Sequence, residues 1–133
     1  MKRIFLIIPI LLVLLYCSGN NSMTNNPPQN AMVAVQDNFF EPATITVQTG
    51  GTVVWQFQGN HQHSVTSGSP GSRSGLFDSA VLTKGNNFQF TFNQTGTIPY
   101  YCTIHGAQMT GMIVVQQSSG GGGGGYGPLQ EPE

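Results

Sequence analysis

Apolar side chains recur at every second position through a series of short runs, a period that suits half-buried β-strands and little else. Val33 and Val35 open the series, Ile45 and Val47 follow the Glu41-Pro42 break, and Val53, Trp55 and Phe57 follow the Gly50-Gly51 turn. Val65 continues it. A stretch rich in Ser and Gly, around Gly68 to Gly75, is expected to form a long loop, with room for a helical turn between Gly68 and Leu82; Phe77 and Val81-Leu82 come after it. Lys84-Gly85-Asn86-Asn87 then turns into a strand with Phe88, Phe90 and Phe92 on one face, Gly96 leads to Ile98 through Cys102, and Ile113 to Gln116 closes the set. About seven or eight short strands separated by turns predict an all-β fold, a Greek-key β-sandwich.

Both ends of the chain fall outside this pattern. Lys2 and Arg3 precede an apolar run from Ile4 to Leu15, too short for the roughly 20 residues of a membrane span, so residues 1–17 read as an export signal. Cys17 ends that run, just before small polar residues. The arrangement resembles the lipobox of bacterial lipoproteins, in which such a Cys carries the lipid anchor, although Tyr16 stands where a small residue is usual. Residues 18–30, rich in Ser, Asn, Pro and Gln, predict a polar tether. The glycine-rich segment 118–133 predicts a flexible tail without core-forming residues. The folded domain is therefore expected over residues 31–117, a single small unit.

Charge narrows the classes of function. Only 7% of the residues are charged and the formal net charge is −1, which leaves neither a basic footprint for nucleic acid nor a polybasic attraction to membranes. If Cys17 carries lipid or leaves with the signal, Cys102 is the remaining thiol of an exported chain. A lone thiol in an oxidising compartment is a liability unless something occupies it.

A metal would occupy it. In Tyr100-Tyr101-Cys102-Thr103-Ile104-His105-Gly106-Ala107-Gln108-Met109 a thiol, an imidazole and a thioether follow one another, separated by two and then three residues, between two β-like runs. Thiolate and thioether are soft donors that favour copper, and imidazole suits copper and zinc alike. Zinc would want four good N, S or O donors, and a thioether is not one. A further imidazole is available upstream in Asn60-His61-Gln62-His63-Ser64-Val65, where His61 and His63, two apart on an extended chain, can point the same way.

Several blocks in order, Phe40 to Val47, Gly51 to Trp55, His63-Ser64-Val65, Phe77-Asp78-Ser79, Phe88 to Phe92 and Tyr100 to His105, resemble the small bacterial cupredoxins of the plastocyanin, amicyanin and pseudoazurin group. The resemblance covers essentially Val33 to Val115. It implies one copper ion, cycling between Cu(II) and Cu(I), with His63, Cys102 and His105 as ligands and Met109 as the axial thioether; Met112 is the alternative for that place, and His61 a solvated loop residue or a weak second contact. Three residues separate His105 from Met109 where family loops commonly hold two or four. Ser64 stands where the family often has an Asn that ties the two ligand segments together, and its hydroxyl could make that tie or simply face solvent.

Function follows as an expectation. The resemblance implies a non-enzymatic carrier of single electrons between extracytoplasmic redox proteins, in the periplasm or at the cell surface, tethered through Cys17 if the lipobox is used. Partners would dock transiently near His105, on an uncharged patch including Gly106, Ala107 and Met109, and the protein is expected to be a monomer. Copper storage or delivery is the competing function. No acid–base pair, nucleophile motif or phosphate loop argues for catalysis. Trp55 and the alternating phenylalanines are expected in the core, and Tyr100 and Tyr101, as strand neighbours, on opposite faces.

Overall fold

The computed structural model describes residues 26–118, so the segment read as an export signal, Cys17 included, and the tail from 119 onward lie outside the described residues. Nine strands follow in order, β1 (Asn30–Gln36), β2 (Phe39–Glu41), β3 (Thr44–Gln48), β4 (Gly51–Phe57), β5 (Thr66–Ser69), β6 (Ser72–Asp78), β7 (Asn87–Phe92), β8 (Gly96–Cys102) and β9 (Gly106–Gln116). They form a four-stranded sheet ordered β2-β1-β4-β7 and a five-stranded sheet ordered β3-β9-β8-β5-β6. This is the expected all-β sandwich. The Pro28 carbonyl accepts the Gln48 amide at 3.2 Å and the Gln29 carbonyl accepts the Thr52 amide at 2.8 Å, so these residues before β1 are tied into the sandwich.

Alternation determines which faces meet. Val33 and Val35 of β1, Val53, Trp55 and Phe57 of β4, and Phe92 of β7 point inward against Val47, Phe77, Tyr100, Ile113 and Val115. Trp55 stands at the centre, its ring centroid 5.4 Å from Phe77, 5.6 Å from Phe88 and 5.6 Å from Tyr100. Burying each such side chain contributes about 1.5–3 kcal/mol, with aromatic contacts adding to it.

Between Thr66 and Asp78 the structure differs from the expected loop or helical turn. β5 and β6 pair as an antiparallel hairpin. Its residues do not alternate in polarity, because Thr66 and Ser67 are buried polar residues satisfied by partners: Thr66 Oγ1 donates to Asp78 Oδ1 at 3.1 Å, and Ser67 Oγ accepts the Phe77 amide at 3.0 Å. Gly68 allows the bend, at φ +117, where a Cβ would run into the Ser72 carbonyl. Asp78 also finds a partner in Arg73, at 2.7 Å.

Two pairings bring the site together. β1 and β4 run parallel with Val35 opposite Phe57, so their C-terminal ends lie side by side. The turn after β1, carrying Asp37, is therefore beside the segment leaving β4 toward His63. β8 and β9 pair antiparallel from Gly96↔Val115 to Tyr101↔Thr110. Tyr100 and Tyr101 are both buried, Tyr100 within the core cluster and Tyr101 outside it, and the Tyr100 ring fills the space over Gly111 that a Cβ would need.

Candidate metal centre

The ladder of β8 and β9 breaks where the sequence places its donors. After Tyr101↔Thr110 the next pair is Cys102↔Gly106, so Ala107, Gln108 and Met109 are extra residues on the β9 side. Such an irregularity re-aims side chains. Met109 is buried completely, as is Cys102 at the end of β8, while His105, in the tight turn between the two strands, is half-buried. β9 thus begins at Gly106, and Met109 lies on a strand rather than in a free loop.

His63 reaches the same place from the segment that links β4 to β5. It is fully buried and held by a β-bridge to Leu82, with amide-to-carbonyl distances of 3.0 and 2.8 Å. Its Nδ1 lies 4.0 Å from Cys102 Sγ, and His105 Nδ1 lies 3.4 Å from the same sulfur. The three donor atoms are all within 4.8 Å of one another, the one such cluster among the described residues. The two imidazole rings lie 4.9 Å apart, inclined by 32°.

Ser64 is buried and ties the two segments, rather than offering a surface hydroxyl. Its Oγ accepts the Thr103 amide at 2.9 Å and meets the hydroxyls of Thr103 at 2.9 Å and Thr66 at 3.1 Å. Its backbone N–H donates to Cys102 Sγ at 3.4 Å. That contact ties the sulfur to the backbone of the His63 segment.

Asp37 is a neighbour that sequence reasoning missed. One oxygen, Oδ1, lies 3.2 Å from His63 Nε2, 3.1 Å from His61 Nδ1, and accepts the His61 amide at 3.0 Å. The amides of His61 and then Asn60, followed by the His63 ring, hold its carboxyl well below the usual carboxylate range. Twenty-six residues separate Asp37 from His63. No spacing rule joins them; the parallel pairing of β1 with β4 is the signal that would have done so.

The remaining candidates separate cleanly. His61 is exposed and turned to Asp37, away from the buried cluster. Met112, 39% exposed on β9, is a strand side chain. One correction concerns the docking patch: Met109, at 0% exposure, contributes nothing to the surface, whereas Ile104, at 49%, does.

The donors fit copper. Two imidazole nitrogens converge on a buried thiol, with a buried thioether on the next strand, a soft set suited to one copper ion in both the Cu(II) and Cu(I) states. A profile of the cupredoxin-like domain matches residues 6–115, beginning inside the segment read as an export signal. A halocyanin of Natronomonas pharaonis is 38% identical over 78 residues, covering 57% of this chain and 47% of its own length, so the chain spans about half of that relative. A plastocyanin of Scenedesmus fuscus is 31% identical over 83 residues, covering 57% of this chain and 85% of its own. Among solved structures, a purple cupredoxin from Nitrosopumilus maritimus superposes with a TM-score of 0.60 at 25% identity, over 65% of this chain and 99% of that one. With strands, donors and profile agreeing over most of its length, the chain belongs to the cupredoxin-like domain family.

Proposed function

We propose that His63, Cys102, His105 and Met109 hold the copper ion of this domain, and that the protein carries single electrons between extracytoplasmic redox proteins. The observation that carries this reading is the convergence of the His63 and His105 Nδ1 atoms on Cys102 Sγ, at 4.0 and 3.4 Å. Copper supplies a one-electron couple. The protein's contribution is to keep the donors in place: His63 by its bridge to Leu82, and Cys102, at the end of β8, by the Ser64 amide. Donors that do not rearrange keep the barrier to electron transfer low.

His105 is the route in and out. It is the more exposed imidazole of the pair, bordered by Ile104, Gly106 and Ala107, so a partner can pack an apolar surface against it. Few charges lie nearby to steer the encounter. Four protein donors around one ion leave no evident place for a substrate, which suits a carrier better than an enzyme. An export signal and a lipid anchor at Cys17 would put the domain outside the cytoplasm, tethered as a monomer.

The test is the visible spectrum of the full chain on adding Cu(II), with Cys102→Ser alongside and release to a Cu(I) chelator followed in the reduced form. An intense thiolate-to-copper band, lost in the variant, together with slow release, is expected. A band with rapid release would favour copper delivery. A colourless protein would overturn the ligand assignment.

A further inference from the structure

We propose that Asp37 is a positioning residue for the copper site: its carboxylate fixes the tautomer and orientation of His63 and delivers a negative charge that favours Cu(II). The inference rests on the copper reading above. His63 has two ring nitrogens, and only an unprotonated Nδ1 can bind a metal beside Cys102 Sγ. Asp37 Oδ1, 3.2 Å from Nε2, is an acceptor that keeps the proton on Nε2 and leaves Nδ1 free. The ring has little choice in the matter. It is completely buried and its backbone is bridged to Leu82 on both sides, so rotation about the side chain is the freedom left, and the carboxylate removes it.

The carboxylate is itself held on several sides. It accepts the His61 amide at 3.0 Å, and a Cβ on Gly59 would lie 2.5 Å from Oδ1, so the chain before His63 wraps closely around Asp37. His61 Nδ1, 3.1 Å away, shares the same oxygen. The charge that Asp37 lends to His63 is thus divided with an exposed imidazole. Among the described residues no carboxylate partners His105, whose Nδ1 meets Cys102 Sγ. The device acts on one ligand only.

A negative charge transmitted through His63 stabilises Cu(II) more than Cu(I), and removing it must raise the reduction potential. The experiment compares the full chain with Asp37→Asn, which keeps an oxygen acceptor and loses the charge, Asp37→Ala, which loses both, and His61→Ala, which leaves the carboxylate to His63 alone. Asp37→Asn is expected to shift the Cu(II)-to-Cu(I) affinity ratio about tenfold toward Cu(I), which for one electron is about 59 mV upward. Asp37→Ala is expected to lower Cu(II) affinity by roughly 10- to 100-fold, the usual range for losing the outer partner of a metal-binding His. His61→Ala is expected to hold the potential or lower it. A potential in Asp37→Asn equal to that of the parent overturns the proposal, and so does an equal rise in His61→Ala. Long-range 15N NMR of the metal-free proteins tests the same point without copper: the parent should show His63 protonated at Nε2, and Asp37→Ala a mixture of tautomers. A parent protonated at Nδ1 overturns the proposal. If the parent gives no copper–thiolate band, the copper reading fails, and the tautomer result still decides the part played by Asp37.

Discussion

His63 and His105 face the same sulfur from surroundings that differ in nearly every respect. His63 is fully buried, bridged through its backbone to Leu82 and through its ring to Asp37; His105 is half-buried, sits on a three-residue turn, and meets Cys102 Sγ and the His63 ring. The first belongs to the fold and the second to the surface. An electron carrier needs both kinds of ligand, one that does not move when the charge on the ion changes and one that a partner can reach.

The sharpest way to break this comparison is to remove each imidazole in turn. His63→Ala should abolish copper binding and also destabilise the metal-free protein by about 3 kcal/mol, since it opens a buried cavity and strips Asp37 of a partner. His105→Gly should abolish the copper band but leave metal-free stability within about 0.5 kcal/mol. Free imidazole should restore the band in His105→Gly and not in His63→Ala. Urea unfolding and an imidazole titration check both halves, and equal loss of stability in the two variants would show that the contrast is false.

A second contrast lies along the β8–β9 hairpin, packed at its base and open at its tip. Gly111→Ala drives a methyl into the buried Tyr100 ring and should cost about 3 kcal/mol. Gly106→Ala, at φ +56 with open space around its Cβ position, should cost about 1 kcal/mol of backbone strain. Thermal melts of the two variants rank them.

Tyr100 also gives the base a signature in pH. Burial pushes its hydroxyl up to about 12, against a smaller opposing effect of the Trp55 side chain. The unfolded chain ionises at the ordinary value of about 10 and the folded one resists, so the contribution is intact below about pH 10 and is lost as pH rises toward about 12, at roughly 1.4 kcal/mol per unit. Tyr100→Phe should flatten that decline without loss of stability at neutral pH. An unchanged alkaline slope in the variant would place its origin elsewhere.

The smallest effect is expected at the exposed tip. With Ile104 and Ala107 beside His105 and few charges in the chain, electron exchange with a cytochrome should change by less than about threefold between low and high salt. A steep fall with salt, followed by stopped flow, would mean that charge steers docking after all.

How far the sequence disclosed this arrangement depends on whether a feature was local. The alternation in β4 and β7 could be read directly because one face of each is apolar. The β5–β6 hairpin could not, because Thr66 and Ser67 are buried by hydrogen bonding rather than hydrophobicity, and β6 presents mostly exposed side chains at the sheet edge. The donors of the second segment were visible as Cys102, His105 and Met109 because they fall within eight positions of one another. Asp37 was not, since its approach to His63 depends on the parallel pairing of two strands distant in sequence. Alternation separates Tyr100, in the core cluster, from Tyr101, outside it, but does not disclose that Tyr101 is covered as well.

The measurement closest to the central claim is X-ray absorption at the copper edge of the loaded protein in its oxidised and reduced forms. The account predicts the same nearest shell in both, two imidazole nitrogens and one short sulfur from Cys102, with only slight lengthening on reduction. A shell that gains or loses a ligand between the two states would contradict it, because His63 and Cys102 would then not be holding a site fixed for electron transfer.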